Sequence, residues 1–190
     1  MTEITFDLNI AKTPGYSHLC QSMQVRAQRY IQRTDQQRSA AAYTLLSKAL
    51  RHLNINQSDF GITTNKSGKP YLTDYPNIHF SLSHSGSAAA CVVSDKEVGI
   101  DIEDSKSFDA TDLEEMAKLT MNEKEQHIIA QSTYPAQAFL LLWTRKEAIL
   151  KLTGEGLRNN IQDVLTKENQ IVIHSNIIGN RYIYSTAQYE

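Results

Sequence analysis

Asp101 and Glu103 stand two residues apart in VGIDIE, residues 98–103. In an extended strand successive side chains point to opposite faces, so Val98, Ile100 and Ile102 would face a core and both carboxylates would project from the other side. Gly99 beside them leaves room for a ligand or a second backbone. Two carboxylates placed in this way can share a hard cation such as magnesium, which takes oxygen ligands. An ordinary strand with a solvated polar face has the same pattern.

A second group lies in FLLLWTRKEAILKL, residues 139–152. Phe139, Trp143, Glu147 and Lys151 recur at i+4 spacing and form one helical ridge that begins apolar and ends ionisable. Such a ridge can anchor in a core and deliver an acid and an ammonium to a site at its far end. Glu147 is then a candidate third metal ligand or general base, and Lys151 a candidate for neutralising a leaving phosphate. The plainer alternative is a core tryptophan followed by a surface ion pair. In IHFSLSHSG, residues 78–86, alternation puts Phe80, Leu82 and His84 on one face and Ser81, Ser83 and Ser85 on the other. A hydroxyl, an imidazole and free backbone N–H groups at a strand end can hold a phosphate. Ser83 and His84, being adjacent on a strand, point apart and are poorly placed as nucleophile and base.

These groups need elements to hold them. ITFDLNI alternates as a first strand, with Ile4, Phe6, Leu8 and Ile10 on one side. Residues 16–27 and 35–53 favour helix, with Asp35 as cap of the second. FGITTN reads as a strand before the turn KSGKP, and IHFSLS, AAACVVS and VGIDIE follow as strands. Residues 109–130 read as helix, and Pro135 begins a long helix ending before Gly154. DVLTK, QIVIH and RYIYSTAQY return to strands. Strand, helices, strands thus occurs twice, dividing near residue 98 into halves 1–97 and 98–190. Grouped rather than alternating elements favour α+β.

Composition narrows the function. The 190 residues are 41% hydrophobic and 21% charged, an ordinary globular balance. A formal charge of −2 argues against a nucleic-acid binder. No basic-then-apolar start or long apolar span is seen, so no membrane partner is expected and the chain is read as cytoplasmic. Cys20 and Cys91 have no metal or redox spacing. Residues 1–52 hold seven Lys or Arg against three acids, and residues 95–125 hold eleven acids against four Lys. That asymmetry suits a site joining an anionic ligand to a cation, although two solvated helix faces would give it too.

In order, GKP, FSLSHSG, VGIDIE and LWTRKEAILK resemble the 4′-phosphopantetheinyl transferase superfamily, surfactin-synthetase-activating type, over roughly residues 26–157. The resemblance implies two α+β halves related by a pseudo-twofold axis, with coenzyme A in the cleft between them. The first half would supply nucleotide contacts, and the second the metal site and catalytic helix. By the same resemblance Asp101, Glu103 and Glu147 match magnesium ligands, and Lys151 matches a lysine beside the pyrophosphate. Asp101, Glu147 and Lys151 are thereby the implied catalytic residues, with Glu147 or a metal-bound water as base. Gly68, Lys69 and Pro70 match a segment along the adenine and ribose phosphate, Ser83 and His84 match phosphate contacts, and Arg38 and Ser39 match a nucleotide-contacting pair. Arg26 fits one of two basic helix positions, while the other is Met23. Glu123 fits an acidic position of variable role. The implied activity is transfer of phosphopantetheine from coenzyme A to a serine of an apo acyl or peptidyl carrier protein. Arg26, Arg29 and Arg33, or hydrophobic residues between Phe108 and Met121, would meet the carrier. Two halves in one chain make a monomer sufficient. A noncatalytic coenzyme A scaffold and a metal-dependent phosphohydrolase are the alternatives.

Overall fold

The computed structural model describes residues 1–13, 15–56, 58, 60–156, 161–166 and 170–190. The first half contains β1 (Thr2–Asp7), α1 (Gln21–Gln28), α2 (Arg33–His52), the short pair β2 (Ile62–Thr64) and β3 (Pro70–Leu72), then β4 (His79–Ser85) and β5 (Ala88–Ser94). The second contains β6 (Val98–Asp104), α3 (Leu113–Thr120), α4 (Glu123–Gln131), α5 (Pro135–Thr153), β7 (Ile171–Ile178) and β8 (Tyr182–Tyr189). The fold is α+β, with two similar halves, each an antiparallel three-stranded sheet packed on a long helix. Strand order is β1-β5-β4 in one sheet and β6-β8-β7 in the other, and β2 pairs with β3 alone. Among the described residues, no helix is long and apolar enough to cross a membrane.

Side-chain alternation accounts for the layering. On β5, Ala89, Cys91 and Val93 join the core under α1 and α2, while Ala88, Ala90 and Val92 meet Val98, Ile100 and Ile102 of β6. Every residue of β5 is buried, which is why AAACVV is a run of small apolar residues rather than an alternating pattern. Cys20 and Cys91 are both free thiols. The opposite face of the β6 sheet is covered by α5, with Ala148, Ile149 and Leu152 against Ala187. The order through the molecule is helix, sheet, sheet, helix.

Several elements differ from the sequence reading. β1 ends at Asp7, whose side chain accepts the Asn9 N–H at 2.9 Å, and Ile10 enters a 3-10 turn. Residues 16–18 form another 3-10 turn, so α1 begins only at Gln21. Helix α2 starts at Arg33, with Gln32 at the cap position; Asp35 lies inside the first turn and accepts from Arg38 instead. The expected helix 109–130 is two helices. Asn122 interrupts it, because its side chain accepts the Glu125 N–H while Glu125 accepts the Asn122 N–H, a reciprocal cap that starts α4. DVLTK does not form a strand: Ile161–Thr166 is a 3-10 helix, and Lys167 lies outside the described residues. The carbonyls of Ile161 and Gln162 accept from Lys146 Nζ at 2.9 Å each, which ties this segment to α5 rather than to the sheet.

The two sheets meet edge to edge through serines. β4 and β6 are edge strands, and N–H groups along an uncovered strand edge would lack partners. Here Ile100 N–H donates to Ser81 Oγ at 3.1 Å, Ile102 N–H to Ser83 Oγ at 3.3 Å and Asp104 N–H to Ser85 Oγ at 3.2 Å. The hydroxyls of alternate β4 residues thus take the place of a neighbouring strand. On the other face of β6, α5 presses against Gly99, where an added Cβ would lie 1.9 Å from the Ala148 carbonyl oxygen and 2.6 Å from the Leu152 nitrogen. Both obstacles are helix backbone, which cannot turn aside. Gly99→Ala is therefore expected to push α5 off the sheet and lower stability by about 1–3 kcal/mol or more, the usual cost of overpacking, read as a fall in the urea midpoint. An unchanged midpoint would show that α5 does not sit as described.

Candidate active site

Strand β6 points Asp101 and Glu103 toward α5, opposite the apolar set Val98, Ile100 and Ile102, as alternation requires. Helix α5 returns Trp143, Glu147 and Lys151 along one ridge. The ridge begins in a stack, Phe108 on Phe139 at 5.5 Å and Phe139 on Trp143 at 6.3 Å between ring centroids. The helix closes on Gly154 in left-handed conformation (φ 73°), so its charged end is fixed in place.

Rotation of α5 about its axis is fixed by Lys146, which is fully buried. Its ammonium donates to the carbonyls of Thr120 (3.1 Å), Ile161 and Gln162, and pairs with Glu125 at 2.7 Å. With Lys146 anchored on the α3–α4 side, the next residue, Glu147, turns toward the ridge. Sequence reading passed over Lys146 because a lysine beside an acid in a helix usually lies in solvent.

Lys151 Nζ donates to Asp101 Oδ1 at 2.6 Å and to Ser83 Oγ at 2.9 Å, and Ser83 Oγ donates to the same Asp101 oxygen at 2.7 Å. Three residues from β4, β6 and α5 thus form one hydrogen-bonded triangle. Glu103 accepts from Ser85 Oγ, and Trp143 lies close by on α5. Burial, and then the charge of Asp101, push the Glu103 carboxyl up to about 7. Burial also raises Glu147, against the pull of the Lys151 ammonium. Asp101 Oδ2 and Glu147 Oε1 are buried with no hydrogen-bond partner.

Among the described residues, no group of three His, Cys, Asp or Glu side chains is gathered closely enough to hold a metal ion. In this arrangement the Lys151 ammonium neutralises Asp101. Lys151 pairs with Asp101 alone among the three acids. Asp101 Oδ2 and Glu147 Oε1 are left buried without a donor, a costly state that a hard divalent cation would relieve.

A cleft of about 410 Å³ opens beside the triangle. Its walls carry Ser39, Gly68, Lys69, Pro70, Ser83, His84, Asp101 and Lys151, so most of the nucleotide-contacting set singled out from sequence converges there. The Lys69 ammonium is already engaged by Glu97 and by the Leu152 carbonyl at 2.8 Å, tying the β2–β3 pair to the end of α5. Arg38 donates to the Gly86 carbonyl at 2.9 Å and to Asp35 at 2.7 Å. Arg26 is not on the wall; its positive charge lies near Tyr43, and Arg29, Tyr30 and Tyr43 line that end instead. Met23 is a fully buried core residue. Glu123 is exposed in the first turn of α4, apart from the acid cluster. His84 meets the Tyr30 ring edge-on at 5.8 Å.

Paired α+β halves with an acid and lysine cluster beside a cleft match what known sequences report. A profile described as 4'-phosphopantetheinyl transferase superfamily matches residues 97–185, and one described as 4'-phosphopantetheinyl transferase, N-terminal, matches residues 14–96. The chain belongs to the 4′-phosphopantetheinyl transferase superfamily. It is 30% identical over 135 residues to 4'-phosphopantetheinyl transferase Sfp of Bacillus subtilis (strain 168), covering 70% of this chain and 58% of that protein. It is 32% identical over 155 residues to 4'-phosphopantetheinyl transferase gsp of Aneurinibacillus migulanus, covering 75% and 63%. Similarity to L-aminoadipate-semialdehyde dehydrogenase-phosphopantetheinyl transferase of Schizosaccharomyces pombe is 29% over 182 residues, covering 86% and 70%. The matches span less than two thirds of the length of the two bacterial relatives.

The titrations of two groups at the site oppose each other. Glu103, raised from 4.5 to about 7, keeps its proton in the folded chain where the unfolded chain has lost it. Its stabilising contribution is full below pH 4.5 and is lost as pH rises through about 7. His84 is held down from 6.5 to about 4 by burial first, then by Lys151 and Arg38. Its contribution is present above pH 6.5 and is lost as pH falls through about 4. Between 4.5 and 6.5 the two slopes oppose. Glu103→Gln is expected to make stability rise more steeply with pH across that window, measured by urea unfolding in metal-free buffer. Parallel curves for variant and wild type would show that Glu103 titrates normally.

Proposed function

We propose that the chain transfers the 4′-phosphopantetheine arm of coenzyme A to a serine of an acyl or peptidyl carrier protein and releases adenosine 3′,5′-bisphosphate. The observation that carries this reading is the triangle of Lys151, Asp101 and Ser83 on the wall of the cleft, in a chain of this superfamily. The cleft volume of about 410 Å³ lies within the range of small-molecule sites, about 300–1,000 Å³. In this reading residues 1–97 supply the nucleotide side through Ser39, Gly68, Lys69, Pro70, Ser83 and His84, with Arg26 and Arg38 nearby. Residues 98–190 supply the acids and Lys151.

The serine oxygen of the carrier forms a bond to the β-phosphorus of coenzyme A, and the bond from that phosphorus to the bridging oxygen breaks. Glu147 takes the serine proton, directly or through a water; burial raises its affinity for a proton. Lys151 offsets the charge gathering on the departing phosphate. Asp101, Glu103 and Glu147 are the residues that would hold a magnesium ion, whose chemistry is to draw charge from a pyrophosphate. Ser83 keeps Asp101 and Lys151 in one place, so that the acid and the ammonium are oriented before coenzyme A arrives. The carrier is an acidic helical domain, for which Arg26, Arg29 and Arg33 offer a complementary surface. With two free thiols and coenzyme A as substrate, a reducing cytoplasmic setting fits.

The test is to incubate the protein with coenzyme A, magnesium and apo-carriers of fatty-acid, polyketide and peptide type, and to weigh the carriers. A gain of one phosphopantetheine on one of them is expected. Coenzyme A binding with no gain on any carrier points to the scaffold, and phosphate release from simple esters points to a hydrolase. Lys151→Met is expected to lower kcat by about 10²–10³-fold, as for loss of a donor to developing charge, with the KM for coenzyme A little changed. Near-normal turnover would remove Lys151 from the mechanism.

A further inference from the structure

Ser81, Ser83 and Ser85 make the same bond to the edge of β6, but their hydroxyl hydrogens go to different places. Ser83 and Ser85 each donate to the carboxylate eighteen residues further on, Asp101 and Glu103. The matching position for Ser81 is Gly99, which carries no acid. Ser83 also contacts Lys151 and lines the cleft. Ser85 does neither. Its oxygen accepts the Asp104 N–H at 3.2 Å, and its hydrogen goes to Glu103.

Glu103 is consequently held across the joint between the halves. Ser85 donates to it from β4, in the other sheet. The hold matters because Asp101 and Glu103 project from the same face of one strand, where two carboxylates repel each other. A Glu103 side chain without that donor could relieve the repulsion by rotating away from Asp101. A donor on a rigid strand prevents this, in the way that hydrogen bonds to the ligating groups of metal sites orient them.

We propose that Ser85 is a positioning residue that holds the Glu103 carboxylate beside Asp101 so that the two can share a divalent cation. This rests on the reading of Asp101, Glu103 and Glu147 as a magnesium site. Ser81 provides the internal control, since it makes the same contribution to the joint between the sheets and touches no acid.

The experiment titrates manganese(II) into the whole chain without coenzyme A or carrier and follows free ion by electron paramagnetic resonance, alongside urea unfolding of each variant. Ser85→Ala is expected to weaken manganese binding about 10-fold or more, the usual effect of removing a partner of a ligating group. Ser85→Thr, which keeps the hydroxyl, is expected to restore it. Ser81→Ala is expected to lower the urea midpoint about as much as Ser85→Ala and to leave manganese affinity unchanged. Should Ser85→Ala fail to fold, Ser85→Cys keeps the volume with a weaker donor and is expected to weaken binding; unchanged affinity in it overturns the proposal. Absence of manganese binding by the wild-type chain overturns the metal reading and takes the role of Ser85 with it. Wild-type binding that Ser85→Ala leaves intact, or that Ser81→Ala reduces equally, overturns the role of Ser85 and leaves the metal reading standing.

Discussion

The structure depends on hydroxyl groups completing a strand edge. β6 pairs with β8 on one side; on the other it presents N–H groups beside a cluster of buried apolar side chains. An unpaired buried amide costs about 1–3 kcal/mol. Three serines of β4 accept those protons. Because they are side chains rather than backbone, they also have hydrogens to donate, and two of these reach the carboxylates of β6. One device therefore fastens the halves together and holds the carboxylates of Asp101 and Glu103.

The electrostatics follow from that placement. β6 has an apolar face toward the first sheet and an acidic face toward α5, so the acids are brought under a helix and out of water. Lys151 lies close enough to compensate one of them, while Glu103 and Glu147 hold their protons more tightly than exposed carboxyls do. Helix α5 can come this close because Gly99 offers no side chain, and it keeps its rotation because Lys146 is anchored by three carbonyls and Glu125 on the far side.

Much of this was legible in the sequence, for physical reasons that can be named. The alternation in VGIDIE and FSLSHSG gave the faces of β4 and β6, and the i+4 spacing from Phe139 to Lys151 gave the ridge of α5, because both periods are set by backbone geometry. Gly99 was read as a point of close approach, and the approaching group is the α5 backbone. What local pattern could not give was decided by distant contacts. The break at Asn122 comes from a reciprocal cap, Ile161–Thr166 forms a 3-10 helix whose first two carbonyls accept from Lys146, and Lys69 is claimed by Glu97 and the end of α5. The serines were legible as one face of a strand, but that they complete the edge of another strand depends on which two edges meet. Arg29, rather than Arg26, lies on the cleft wall, at the position just past the end of α1, which no helical period specifies.

Each serine bond also joins residues only nineteen apart in the chain, whereas β1 reaches β5 across as many as 92 residues. On loop-closure grounds the shorter connection costs about 1.4 kcal/mol less chain entropy. The seam between the halves is thus a local event in folding, open to the nascent chain before its two ends have been drawn in. The contacts that give Asp101 and Glu103 their serine partners are thus among the shorter-range ones of the fold.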